Sequence, residues 1–184
     1  MIELNHEKIR VEPYIKELTE YDNQSALSVI GLLNSQDNRR HFANPYTTYD
    51  EIIKVIESKD THILILREMQ DIVGTLTITD AAYPQNSHFI SLLAIDEEKQ
   101  GCGYGRKLLT QAVDWAFTTP NFERRERKSI HLATVMMIPG WERMYNLARS
   151  CKFEPKVIWP DQFENGDGTS NDFIRLTLQR NIWK

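Results

Sequence analysis

The chain has 184 residues, of which 41% are apolar and 26% charged, and its net charge is −4. These proportions belong to a folded globular protein rather than a disordered chain, and the length suits one domain over residues 1–184 whose core needs no staples. The acidic balance argues against a nucleic-acid partner, which a basic face would hold. The longest apolar runs, HILIL and FISLLAI, are too short to span a bilayer, so no membrane partner is expected.

The first strand is predicted within KIRVE, closed by Pro13. NQSALSVIGLLN spaces Ala26, Leu27, Ile30 and Leu33 as a helical stripe. Thr48 ahead of Asp50 and Glu51 predicts a helix start, with Ile52, Ile53, Val55 and Ile56 following. THILILRE and DIVGTLTIT are β-branched runs separated by Met69 and Gln70, the pattern of an antiparallel hairpin. HFISLLAI is apolar on both faces, as a central strand would be. From Gly105, the residues Leu108, Leu109, Ala112, Val113, Ala116 and Phe117 form one wide helical face that Pro120 ends. SIHLATV predicts another strand, and a helix lined by Trp141, Met144, Leu147, Ala148 and Cys151 follows Pro139-Gly140. KVIW and DFIRLTLQR predict two last strands around a polar loop. The order β-α-α-β-β-β-α-β-α-β-β predicts an α/β layered fold with helices on a mixed sheet. Two cysteines, Cys102 and Cys151, and an N-terminal stretch without an export core predict free thiols in a cytoplasmic setting. By themselves they cannot supply a four-ligand zinc set, and no metal is expected.

The densest chemical signal is DEEKQGCGYGRKLL, Asp96 to Leu109. A triphosphate loop would need Gly-Lys-Ser/Thr, and Leu108 stands where its hydroxyl belongs. A dinucleotide fingerprint would need a third glycine where Arg106 stands. Gln100, Gly103 and Gly105 instead match Gln-x-x-Gly-x-Gly at a strand-to-helix turn. Bare amides there can converge on an anion at the positive end of a helix. Arg106 and Lys107 oppose the helix dipole and make sense beside a polyanion. A tight turn that merely needs glycine accounts for the glycines alone equally well.

HFISLLAIDEEKQGCGYGRKLLTQAVDWAF resembles the core motif of the GNAT superfamily of acyl-CoA N-acyltransferases, and the element order is similar to that fold over nearly the whole chain. The long chain and the final DFIRLTL strand loosely resemble the branch that acetylates protein N-termini and ribosomal proteins. The resemblance implies a mostly antiparallel mixed sheet flanked by helices, and acetyl-CoA as co-substrate. It implies that the amides of Gly101, Cys102, Gly103, Tyr104, Gly105 and Arg106, with Gln100, hold the coenzyme diphosphate. It further implies that Leu93, Ala94 and Ile95 carry the pantetheine along the strand end. A second family motif, N-x-x-A-x-x-x-Y-x-x-x-G-F, aligns on Phe153 and puts Trp141 at its Asn, Met144 at its Ala, Ala148 at its Tyr and Lys152 at its Gly. The usual tyrosine proton donor is therefore absent.

The implied reaction moves an acetyl group to an amine by direct attack within a ternary complex. A base on the central strand would fall at Phe89 or Ser91, and Phe89 accepts no proton. Ser91 can orient a water, His88 is the nearest titratable group although its parity sends it to the opposite face, and Tyr145 lies one turn before Ala148. Cys102 needs no role in direct transfer. The alternative is an acyl-CoA-binding module that has lost catalysis and acts as sensor or scaffold. The acceptor is expected to be a small-molecule amine, a protein N-terminus or a lysine, taken by a monomer or homodimer. Asp161, Glu164, Asp167 and Asp172 in WPDQFENGDGTSND, with Arg39, Arg40, His41 and Tyr46, are acceptor-side candidates. The basic run ERRERK reads as a solvated connection.

Overall fold

A computed structural model describes residues 9–13, 20–39, 48–57, 60–81, 87–118, 129–135, 141–164 and 170–183. The predicted elements appear in the predicted order: β1 (Ile9–Pro13), α1 (Glu20–Leu33), α2 (Gln36–Arg39), α3 (Tyr49–Glu57), β2 (Thr61–Glu68), β3 (Asp71–Ala81), β4 (Ser87–Ile95), α4 (Tyr104–Thr118), β5 (Ser129–Val135), α5 (Trp141–Ser150), β6 (Glu154–Glu164), β7 (Ser170–Gln179) and α6 (Arg180–Trp183). The short helices α2 and α6 are additions, because four residues are too few to show a helical period. The strands form one sheet in the order β1-β2-β3-β4-β5-β7-β6. Among the described strands, only β4 and β5 run parallel; every other neighbouring pair is antiparallel.

Alternation along the strands separates two layers. Leu64, Leu66, Leu76, Ile78, Ile90, Ile130 and Leu176 face the buried side of α4, together with Phe153 and Ala148. Ile63, Ile65 and Ala94 face α1 and α3 through Ala26, Val29, Leu33 and Ile52. The β2–β3 hairpin pairs Glu68 with Asp71 around Met69 and Gln70, as its spacing predicts. The last hairpin departs from expectation. The predicted polar loop is strand through Glu164, and β6 carries both Pro155 and Pro160. It can do so because it lies at the sheet edge and its register breaks between Pro155 and Val157 and between Trp159 and Phe163.

The end of α5 follows the family motif in an altered residue. The amide of Phe153 donates to the Ala148 carbonyl and that of Lys152 to the Arg149 carbonyl, the paired bonds that close a helix C-terminus. Lys152 must therefore take φ 67°, where a side chain costs about 1–2 kcal/mol. Its ammonium recovers part of this over the Trp183 ring and at the Ile182 carbonyl. Lys152→Gly is expected to raise stability by about 0.5 kcal/mol after those contacts are lost, or roughly 1–2 °C in Tm by calorimetry.

Candidate functional site

The site is built where β4 stops pairing with β5. The two strands are joined from Ser87–Ser129 to Ile90–Leu132, yet β4 continues to Ile95 and β5 to Val135. Beyond Ile90 the edge of β4 that faces β5 is consequently unpaired, and the two strands part. A bulge marks the same place. Thr77 opposes Ser91 and Thr75 opposes Ala94, so β4 spends one extra residue there. Leu92 absorbs it at φ 49°, an uncommon conformation for a leucine and one held by the ladder on either side. The extra residue also swaps faces. Leu92 packs on the α1–α3 side, and Leu93 packs on the α4 side.

Beyond β4 the chain turns through a single 3-10 turn, Glu97–Lys99, capped by the Asp96 carboxylate on the Glu98 amide. Gly101 (φ 76°) and Gly103 (φ 89°) then bend the backbone into α4 through conformations that L side chains avoid. The Gly103 carbonyl accepts the Lys107 amide and so begins the helix. Among the described residues, the amides of Gly101, Gly103, Tyr104, Gly105 and Arg106 donate to no protein acceptor. Three of these belong to the first turn of a helix, whose N–H groups lack intrahelical partners. Such a set suits an anion in number and chemistry. Cys102 differs from the rest, since its amide is turned to the Lys99 carbonyl at 3.4 Å, and its thiol is exposed.

Three contacts hold this loop in place. The Gln100 side chain donates to the Ile95 carbonyl at 3.3 Å, so Gln100 staples the loop to the strand end. The same carbonyl accepts the buried Asn38 amide at 3.0 Å, which ties α2 to the end of β4. With two donors on the Ile95 carbonyl, only its amide remains for the role expected of Ile95. The third contact is a clamp on Glu68, at the end of β2. One carboxylate oxygen accepts the Tyr104 hydroxyl, and the other meets the Lys99 ammonium at 2.6 Å. Lys99 and Tyr104 bracket the residues from Gln100 to Gly103, so one carboxylate holds both ends of the loop. The Glu68 hydrogen bond pushes the Lys99 pKa up, while burial and then Glu68 push the Tyr104 pKa up.

Of the residues expected to do chemistry, Ser91 lies on the α1–α3 side of β4, opposite Thr77 and directly before the bulge. His88 is neither beside it nor at the surface: it is buried, and no bulge intervenes before Ser91, so the two face opposite sides about 10 Å apart along the strand. A catalytic part for His88 therefore has no geometric support. Tyr145 is half-buried on α5, edge-on to Trp141, and its hydroxyl has no partner among the described residues. Ala148 is wholly buried among core residues. The α5 helix reaches the loop through Leu147, which lies against Gly105. Arg39 ends α2, while Arg40, His41, Tyr46, Asp167 and the basic run at 123–128 lie outside the described residues. Asp161 and Glu164 are in β6 and Asp172 in β7. Among the described residues, no group of three His, Cys, Asp or Glu could hold a metal, and no helix is long and apolar enough to cross a membrane.

Sequence reading did not single out His131. It is buried on β5, paired with Phe89 on one side and Thr177 on the other. The available signal was its parity in SIHLATV, which separates it from the core residue Ile130.

The fold recurs in solved structures. Spermidine N-acetyltransferase from Vibrio cholerae, in complex with CoA and spermine, superposes with a TM-score of 0.73 at 20% identity, covering 96% of this chain and 98% of that one. Ribosomal-protein-S5-alanine acetyltransferase from Vibrio fischeri gives 0.72 at 14% identity over 100% of both chains. The smu.2055 protein from Streptococcus mutans UA159 gives 0.70 at 18% identity, covering 92% of this chain and 98% of that one. At these identities the likeness is one of fold. No curated protein sequence matches the chain significantly. Residues 28–132, more than half the chain, match the model described as the Acetyltransferase (GNAT) family. With the parted β4 and β5 strands and the glycine turn inside the matched span, the chain belongs to the GNAT acetyltransferase family.

Proposed function

We propose that residues 1–184 act as one acetyl-CoA-dependent N-acetyltransferase domain, which transfers the acetyl group to a primary amine by direct attack in a ternary complex. The observation that carries the reading is the set of five unpartnered amides at Gly101, Gly103, Tyr104, Gly105 and Arg106, directly beyond the unpaired edge of β4. The co-substrate would supply the acetyl group as a thioester. In this reading the loop amides and the N-terminus of α4 bind its diphosphate, and Arg106 adds charge. The backbone of Leu93, Ala94 and Ile95 lines the pantetheine arm. A strand-end amide such as that of Leu93 serves as oxyanion donor. Ser91, on the α1–α3 side, orients water or the amine.

Charge and the neighbours support a choice of acceptor. A solved neighbour is a spermidine N-acetyltransferase and another acts on a ribosomal protein's alanine, so both a polyamine and a peptide N-terminus are reasonable acceptors. The net charge of −4 favours a cationic amine. With a pKa of about 10.4, such an amine is neutral in roughly one molecule in 2,500 at pH 7, so supplying that form costs about 4.6 kcal/mol.

Ala148 offers no proton donor, which makes Tyr145 the candidate acid for the departing sulfur. A thiolate of pKa about 8.5 can leave without full protonation. Tyr145→Phe is therefore expected to lower kcat about tenfold with acetyl-CoA affinity unchanged, and an unchanged kcat would remove the residue from the mechanism. The function itself is tested by thiol release from acetyl-CoA across spermidine, an alanine-terminated peptide and an aminoglycoside. Thermal stabilisation by acetyl-CoA without release from any of them would favour the second reading, a sensor or scaffold, which the buried Ala148 motivates.

A further inference from the structure

On the face of the sheet that carries Phe89 and Ser91, β5 presents a buried polar row that no step above uses. Ser129 and His131 flank the core residue Ile130 and point away from α4. Ring Nδ1 of His131 lies 2.9 Å from the Thr177 hydroxyl, and Nε2 lies 3.4 Å from the Ser129 hydroxyl. His131 stands one residue before Leu132, the last on β5 to pair with β4, and is therefore next to the point where the two strands part. Its in-register neighbour on β4, Phe89, accepts no proton.

We propose that His131 is the proton acceptor for the attacking amine, an inference that rests on the acetyltransferase reading. Position supplies the first argument: among the described residues of β4 and β5, it is the titratable side chain on the Phe89 and Ser91 face at the point where the two strands part. Charge state supplies the second. Burial and then Arg175 on β7 lower its pKa, so the ring is neutral at pH 7 and can take a proton. The other ionisable groups around it do not reverse this. Glu154 on β6, in register with Thr177, is held by Arg149, and His88 on β4 faces the opposite side. Orientation supplies the third. Thr177 fixes Nδ1 at normal hydrogen-bond length, whereas the longer Ser129 contact is the weaker one, so Nε2 is the nitrogen that exchanges its partner at the smaller cost.

In the step, the amine lone pair forms a bond to the thioester carbonyl carbon, and the proton shed by that nitrogen passes to the imidazole. The electron pair of the C–S bond leaves with sulfur. Tyr145 protonates the departing thiolate and regains its proton, through solvent, from the imidazole, so phenol and ring both end neutral and the products are an amide and a free thiol.

The test compares the wild type with His131→Gln, which keeps hydrogen-bonding capacity and lacks a basic nitrogen. Thiol release at pH 7 with the best amine of the panel should fall about 100-fold or more in the variant, while the thermal shift produced by acetyl-CoA persists. The wild-type acid limb of kcat/KM, placed below about pH 6.5, should vanish. Without any ligand, the imidazole NMR resonance missing from the variant should titrate below that pH. Near-normal kcat with the acid limb intact in the variant, or a His131 resonance that titrates above about pH 7, would overturn the proposal alone. A wild type that binds acetyl-CoA and releases no thiol overturns it together with the reaction, and a wild type with no acetyl-CoA shift overturns the acyltransferase reading beneath it.

Discussion

Gly103→Val should abolish measurable acetyl-CoA binding, with a loss of affinity of about 100-fold or more by calorimetry. Gly103 sits at φ 89° and supplies the carbonyl that starts α4. A β-branched residue is a steric outlier at such an angle, well beyond the roughly 1–2 kcal/mol that an ordinary side chain pays there. The loop can relieve that strain only by rotating the peptide planes on either side. Those planes carry the amides of Gly103 and Tyr104, two of the five proposed anion donors. The core elements below the loop, from Leu108 to Phe117, do not depend on this rotation, so the circular dichroism spectrum should stay native. Gly101→Ala supplies a graded control: a Cβ there meets nothing within 4 Å, so only its φ of 76° resists. That variant should lose about tenfold in affinity. Equal and native affinity in both variants would show that the amides hold no diphosphate.

The parts of this site that were legible in the sequence are local. The strand bounds of β2 and β5 and the apolar face of α4 follow from short-range alternation and period, and the glycine turn follows from residues that few other conformations need. The bulge at Leu92 was not legible. In HFISLLAI every position around it is apolar or small, so a one-residue slip between faces leaves no trace in the pattern. His88 was considered for catalysis because it is near Ser91 in sequence, whereas His131, 40 positions away, shares the face of Ser91 through the β4–β5 register. The extent of β6 was hidden by its prolines, which read as loop until the strand is known to lie at an edge.

Glu68 lay beyond sequence reading for the same reason, since it meets Lys99 and Tyr104 from 31 and 36 positions away. Glu68→Leu should lower stability by about 1–3 kcal/mol, the cost of leaving the buried Tyr104 hydroxyl without an acceptor. In a chain of this length that is roughly 2–12 °C in Tm. The Lys99 ammonium is at the rim, so its lost pairing adds little. Glu68→Gln separates the two contributions, because an amide oxygen can still accept from Tyr104 while the charge is gone. It should recover most of the stability. The functional cost follows from the loop. With either end released, the amides from Gly101 to Arg106 sample more conformations, and binding must order them again. Affinity for acetyl-CoA should then fall about tenfold in Glu68→Leu, whereas affinity for an acetyl-pantetheine fragment without the diphosphate should not change. Equal losses for the two ligands would mean that the clamp supports the fold and not the anion loop. Alkaline pH should imitate the substitution. The folded-state pKa values of Lys99 and Tyr104 both lie above their ordinary values, so the clamp is intact at neutral pH and is lost as pH rises through those raised values. Coenzyme affinity in the wild type should accordingly decline above about pH 10, and Glu68→Leu should show less of that decline.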